Sequence, residues 1–174
     1  MLKRIFLTVA VLAWSVMPAS AKTIKTLSLD VFMEGGTLVV DSDKDPLPPD
    51  RGDTFIVTGK IYPGGTLAAN PSTAPGGSIG TWTCRGWFTG TGLEVFSTQD
   101  FFLSDDTTSL ATEGIEHDGL GLAHLDTRVI TGGTGKYDGQ RGQHTEERLG
   151  VNGTGGFNIT FTFKLLKTSP EAKK

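Results

Sequence analysis

The sequence predicts an all-β chain in which about eight antiparallel strands close into a single barrel. Three observations point there. Short runs rich in Thr, Val, Ile and Phe alternate with clusters of Gly, Asp, Asn and Pro, and glycine alone supplies 24 of the 174 residues. No segment after residue 21 keeps an apolar repeat at helical spacing. Several runs alternate with a period of two, as a strand with one buried face does. Successive antiparallel strands without helices must stack or close, and closure removes exposed edges.

The chain opens with an expected export leader at 1–21. Lys3 and Arg4 precede an apolar run from Ile5 to Met17, then Pro18 and the small residues Ala19, Ser20 and Ala21 that a signal peptidase accepts. The run is too short to span a bilayer comfortably. The mature chain is therefore expected to start at Lys22, to be secreted or periplasmic, and to have no membrane attachment after the leader is removed. One barrel domain is expected over 22–168, followed by a disordered tail over 169–174.

Strands are expected near Ile24–Met33, Thr54–Tyr62, Ser78–Phe88, Glu94–Leu103, Thr107–His117, Leu122–Ile130, Gln143–Gly150 and Gly156–Leu166. The last alternates most cleanly: Phe157, Ile159, Phe161, Phe163 and Leu165 share one face, with Asn158, Thr160, Thr162 and Lys164 on the other. In the third, Gly80, Trp82, Cys84, Gly86 and Phe88 share a face, while Trp87 lies on the opposite one. A tryptophan on both faces suggests that the outer wall is covered, as by another subunit. Gly90-Thr91-Gly92 and Asp118-Gly119 read as tight turns. The longer Asp41–Asp53 and Pro63–Gly77 loops are the expected rim of a binding mouth.

Charge and motifs exclude several classes. The chain carries 16 basic and 19 acidic residues, net −3, and −5 once Lys3 and Arg4 are gone. Without a basic block, nucleic acid and anionic membranes are poor partners. Cys84 is the sole cysteine, so no internal disulfide forms, and a lone thiol outside the cell is expected to be buried. His117, His124 and His144 show no metal-ligand spacing. There is no Gly-x-Ser-x-Gly elbow, and the glycine run before Lys136 lacks phosphate-loop spacing. No cofactor and no metal are implied.

The most distinctive stretch is Thr131-Gly-Gly-Thr-Gly-Lys-Tyr137, followed by Gly139-Gln-Arg-Gly142 and the final Phe157-x-x-x-Phe161-x-Phe163 strand. It resembles the glycine-rich hairpin and closing strands of the allene oxide cyclase and dirigent protein superfamily. Gly52-Asp53 and Ile79-Gly80 are weaker echoes upstream. The resemblance implies a calycin-like eight-stranded barrel that assembles as a homodimer or homotrimer, and catalytic candidates follow from it. Allene oxide cyclases place a glutamate, and dirigent proteins an aspartate, on the first strand, where Glu34 and Asp30 stand. Dirigent proteins use an arginine in an Ala-Arg-Gly segment, where this chain has Gln140-Arg141-Gly142. If the face bearing Leu27, Leu29, Val31 and Met33 lines the lumen, both carboxylates point outward. Trp82, Cys84 and Phe88, with Tyr62 and Phe161, are the expected pocket wall. The function expected is the binding of a small hydrophobic molecule in the lumen. The alternative is a cyclase, isomerase or dirigent-type catalyst that folds or couples such a substrate without a cofactor.

Overall fold

A computed structural model describes residues 24–36, 38–40, 49–90, 94–105, 107–117 and 125–166. The leader, the tail, the Asp118-Gly119 turn, the Gly90–Gly92 turn beyond Gly90 and most of the Asp41–Asp53 loop lie outside the described residues. Nine strands follow one another: β1 (Ile24–Met33), β2 (Leu38–Val40), β3 (Thr54–Pro63), β4 (Gly80–Phe88), β5 (Val95–Leu103), β6 (Ser109–Glu116), β7 (Asp126–Thr134), β8 (Gly142–Val151) and β9 (Phe157–Leu166). Each from β3 to β9 pairs antiparallel with the next. β1 pairs with β9 on one side and with β3 on the other, which closes an eight-stranded barrel. The short β2, which no alternation in the sequence foretold, attaches to β3 beside the closing seam. There is no α-helix among the described residues.

The two faces of each strand explain the closure. Leu29 and Val31 on β1, Trp82 and Cys84 on β4, Phe101 on β5, and Ile159, Phe161, Phe163 and Leu165 on β9 turn inward and form one apolar cluster. Cys84 is buried, as a shielded thiol should be. One end of the barrel is stoppered by Tyr137, which sits on a single 3-10 turn (Gly135–Tyr137) between β7 and β8 and packs into that cluster.

Two sequence expectations change in detail. The sixth barrel strand was expected to end at Ile130, yet β7 continues through Thr134. Its glycines are strand, not loop: Gly132 and Gly133 pair with Ala111 and Leu110. A Cβ on Gly133 would lie 2.6 Å from the Ser109 carbonyl oxygen and 2.8 Å from that of Tyr137, so the glycine permits close backbone approach. The Pro63–Gly77 loop does not rim a mouth. It straps the outer wall, where Leu67 packs with Phe32 and Tyr62 in a second small core.

Candidate functional site in the barrel lumen

The apolar pattern of the strands breaks on the inward face of β5 to β8. Ser97 and Gln99 (β5), Thr112 and Glu116 (β6), Asp126 and Arg128 (β7), and His144 and Glu146 (β8) are all buried, and the Arg148 side chain is 7% exposed. Period-two alternation puts Ser97 with Gln99, Asp126 with Arg128, and His144, Glu146 and Arg148 on common faces, and antiparallel register brings these faces together. The result is an ionic cluster within the barrel.

Glu116 is its hub. Arg128 Nη1 donates to Glu116 Oε1 in a direct ion pair, and Ser97 Oγ donates to the same oxygen at 2.6 Å. Gln99 Nε2 reaches it at 3.4 Å, and Arg148 Nη2 lies 3.5 Å from Glu116 Oε2. Glu146 is served less closely: Gln99 Nε2 donates to Oε2 at 3.0 Å, and Arg148 Nε stands 3.7 Å from Oε1. Gln99 thus bridges the two carboxylates across the lumen.

This environment sets the protonation states. Burial, then the negative charge of Glu116, pushes the Glu146 carboxyl up to about 7, against the pull of Arg148, Gln99 and Arg128. The His144 imidazole stacks on Phe161 at 5.4 Å and packs against Phe163 at 5.1 Å. Burial there, and secondarily the Arg128 charge, holds it down at about 3, so it is neutral. Burial, then Glu116, raises the Cys84 thiol, whose Sγ is 3.9 Å from Glu116 Oε1; at neutral pH it is a thiol wall, not a nucleophile. Trp82 Nε1, Gln99 Oε1, Thr112 Oγ1, Arg128 Nε and both His144 nitrogens are buried without a hydrogen-bond partner among the described residues. Each such atom costs about 1–3 kcal/mol, and such costs gather where a protein handles a ligand. No group of three or more His, Cys, Asp or Glu among the described residues is arranged for a metal.

The charged cluster lies toward the end of the barrel opposite Tyr137, where aromatic rings frame it. Phe55 and Phe88 meet edge to face at 5.7 Å, and the Arg148 guanidinium lies 5.2 Å over the Phe157 ring.

The residues singled out from sequence fall into two groups. Trp82, Cys84, Phe88 and Phe161 face the lumen. The other four stand apart from it. Asp30 is buried on the outer face, where its carboxylate accepts from Leu67 N–H at 2.7 Å and Thr160 Oγ1 at 2.9 Å. Glu34 is exposed beyond the end of β1, 3.8 Å from Lys60 Nζ. Tyr62 lies under the strap and donates to the Pro75 carbonyl at 2.9 Å. Arg141 donates to the Thr131 carbonyl at 2.8 Å on the surface. The ionic cluster was not found from sequence, although polar pairs at i and i+2 in consecutive strands were its available signal.

An eight-stranded antiparallel barrel of this kind is shared by dirigent proteins and related cyclases. Among solved structures, a pterocarpan synthase dirigent protein is 12% identical over 91% of this chain and 92% of its own, with a TM-score of 0.65. Pyocyanin demethylase is 22% identical over 81% of this chain and 99% of its own, at 0.55. The Diels Alderase AbmU from Streptomyces koyangensis is 11% identical over 88% and 76%, at 0.50. At these identities the likeness is one of fold. No protein-family model and no curated protein sequence matches the chain.

Proposed function

We propose that this barrel binds a small hydrophobic molecule in its lumen, with the ionic cluster engaging the polar end of that molecule. One observation carries the reading: the charged side chains of Glu116, Arg128, Glu146 and Arg148 are buried together with Ser97, Gln99, Thr112, Asp126 and His144 beside the apolar and aromatic cluster of the same barrel. Buried ion pairs add little net stability over apolar side chains of similar size. An apolar site with a few converging polar groups and a displaced pKa is the common form of a ligand site. Barrels of this fold include a synthase and a Diels Alderase, whose names imply small-molecule partners. The test is native mass spectrometry of protein purified from its host. A small apolar ligand retained by wild type and lost when Glu116 and Arg128 are replaced together by Gln and Met supports the reading. A ligand-free protein that also binds none of a panel of small aromatic compounds sinks it.

A second reading, cofactor-independent cyclase or isomerase chemistry, is favoured by Glu146. A carboxyl at about 7 can give or take a proton at neutral pH. Incubating the co-purified ligand with protein would then change its chemical structure, and Glu146→Gln would abolish that change. The leader at 1–21 supports export, which N-terminal sequencing starting at Lys22 would bear out. The outer wall supports self-association: Trp87 is 47% exposed, with its ring 4.8 Å from that of Phe96. A monomer by light scattering would count against it.

A further inference from the structure

The outward face of β4, β5 and β6 carries a pattern of its own. Register aligns Trp87 with Phe96 and Phe96 with Ile115, in one row across the three strands. Trp87 is 47% exposed, and its ring lies 4.8 Å from that of Phe96. Two residues along each strand, the next outward row is Arg85, Thr98 and Glu113. Asp100 holds the Arg85 guanidinium at 2.8 Å, yet the Arg85 side chain stays 56% exposed. Glu113 is exposed as well. This row therefore runs from a cation through a hydroxyl to an anion, beside a row of apolar groups.

We propose that this face binds a second copy of the chain about a two-fold axis running along β5. The pairing rests on self-association of the outer wall and adds its surface and its symmetry. A half-turn about β5 lays β4 of one protomer over β6 of its partner and keeps each row in place. Arg85 then meets the partner subunit's Glu113, and Glu113 meets the partner subunit's Arg85. Trp87 falls on the partner subunit's Ile115, while Phe96 and Thr98 each meet their own copies on the axis. Each end of the charged row is answered by its opposite, as a self-complementary contact requires. A partner of one charge sign would repel one end of that row, whereas a second copy satisfies both. A barrel wall is convex, so the long Arg85 and Glu113 side chains bridge the gap that opens on either side of β5. β7 lies further round the curve, which leaves Val129 outside the contact although it is 56% exposed.

Sedimentation equilibrium tests the pairing. Wild type should be a dimer. Arg85→Glu and Glu113→Arg each set like charges face to face, and each should raise the dimer Kd about tenfold or more. Mixed in equal amounts, the two variants should recover a heterodimer, because one face is then wholly acidic and the other wholly basic. Thr98→Cys is nearly isosteric and changes no charge. A short bismaleimide should join two copies through it, since Cys84 is buried away from the reagent. Val129→Cys should cross-link poorly under the same conditions. A trimer, a dimer indifferent to both charge reversals, a mixture of folded variants that stays monomeric, or equal cross-linking at the two positions would overturn this pairing and leave self-association standing. A wild-type monomer would remove both. The cross-linking decides the matter if a charge reversal fails to fold.

Discussion

His144 and Glu146 are two residues apart on one strand face, and burial displaces them in opposite directions. The folded imidazole stays neutral down to about 3, whereas an unfolded one takes a proton near 6.5. Its neutral burial is therefore fully compatible with folding above 6.5 and costs stability as pH falls toward 3. Glu146, raised from 4.5 to about 7, behaves the other way: its contribution is complete below 4.5 and is lost as pH rises through 7. Between 4.5 and 6.5 the two slopes cancel. Denaturant unfolding should show wild type falling behind His144→Phe by roughly 1.4 kcal/mol per pH unit from 6.5 down toward 3, because Glu146 is common to both proteins and drops out of the difference. An unchanged acid limb would mean that the ring is not held neutral. This pair also shows what the sequence conceals. Trp82, Cys84 and Phe161 were legible as lumen residues because apolar alternation marks an inward face. Arg128 was not, since its neighbour Val129 is the apolar residue and yet is 56% exposed. In Glu146-Glu147-Arg148, charges occupy both faces of the strand, so no alternation tells in from out.

At the scale of elements, strand positions were readable because turn residues punctuate the chain, and β1, β3 to β6, β8 and β9 fall close to where the sequence put them. The β7 end was missed because Thr131-Gly-Gly-Thr134 has the composition of a turn. Its pairing with β6 is tertiary: Ser109 pairs with Thr134 and Leu110 with Gly133, after a register shift at Ala111 and Thr112. The two adjacent glycines are not equivalent. The nearest atom to a Cβ on Gly132 is Arg141 Nη1 at 3.9 Å, whereas a Cβ on Gly133 would press on backbone that cannot swing away. Gly133→Ala should therefore cost about 1–3 kcal/mol in denaturant unfolding. Gly132→Ala should stay within about 0.5 kcal/mol of wild type. Equal effects at the two positions would show that the β6–β7 ladder is looser than this register requires. The same ladder leads into Tyr137, so Gly133→Ala should also loosen the stopper at that end of the lumen.

For the whole molecule, the closing seam is the place where a barrel can reopen. β1 pairs with β9 from Ile24 to Phe32 but with β3 only from Leu29 to Met33. The strap lies across that shorter join. Asp30 and Tyr62 are register partners over the seam, and each is tied to the strap, Asp30 to Leu67 N–H and Tyr62 to the Pro75 carbonyl. Phe32, Tyr62 and Leu67 bury one another on the same outer face. The first-strand aspartate, singled out for its family resemblance, thus has a structural occupation: it holds down the clasp that keeps the ring of strands shut. Removing its carboxylate strands a buried backbone N–H, at a cost of about 1–3 kcal/mol. Because the cost falls on one join, it should appear as local opening before global unfolding. Hydrogen exchange of Asp30→Ala should lose protection first at Val31 and Ile61, with the β4–β5 ladder unchanged. Glu34→Gln, which alters only an exposed ion pair, should exchange as wild type does. Uniform loss of protection around the barrel in Asp30→Ala would mean that the ring opens as a unit and that the strap is no clasp.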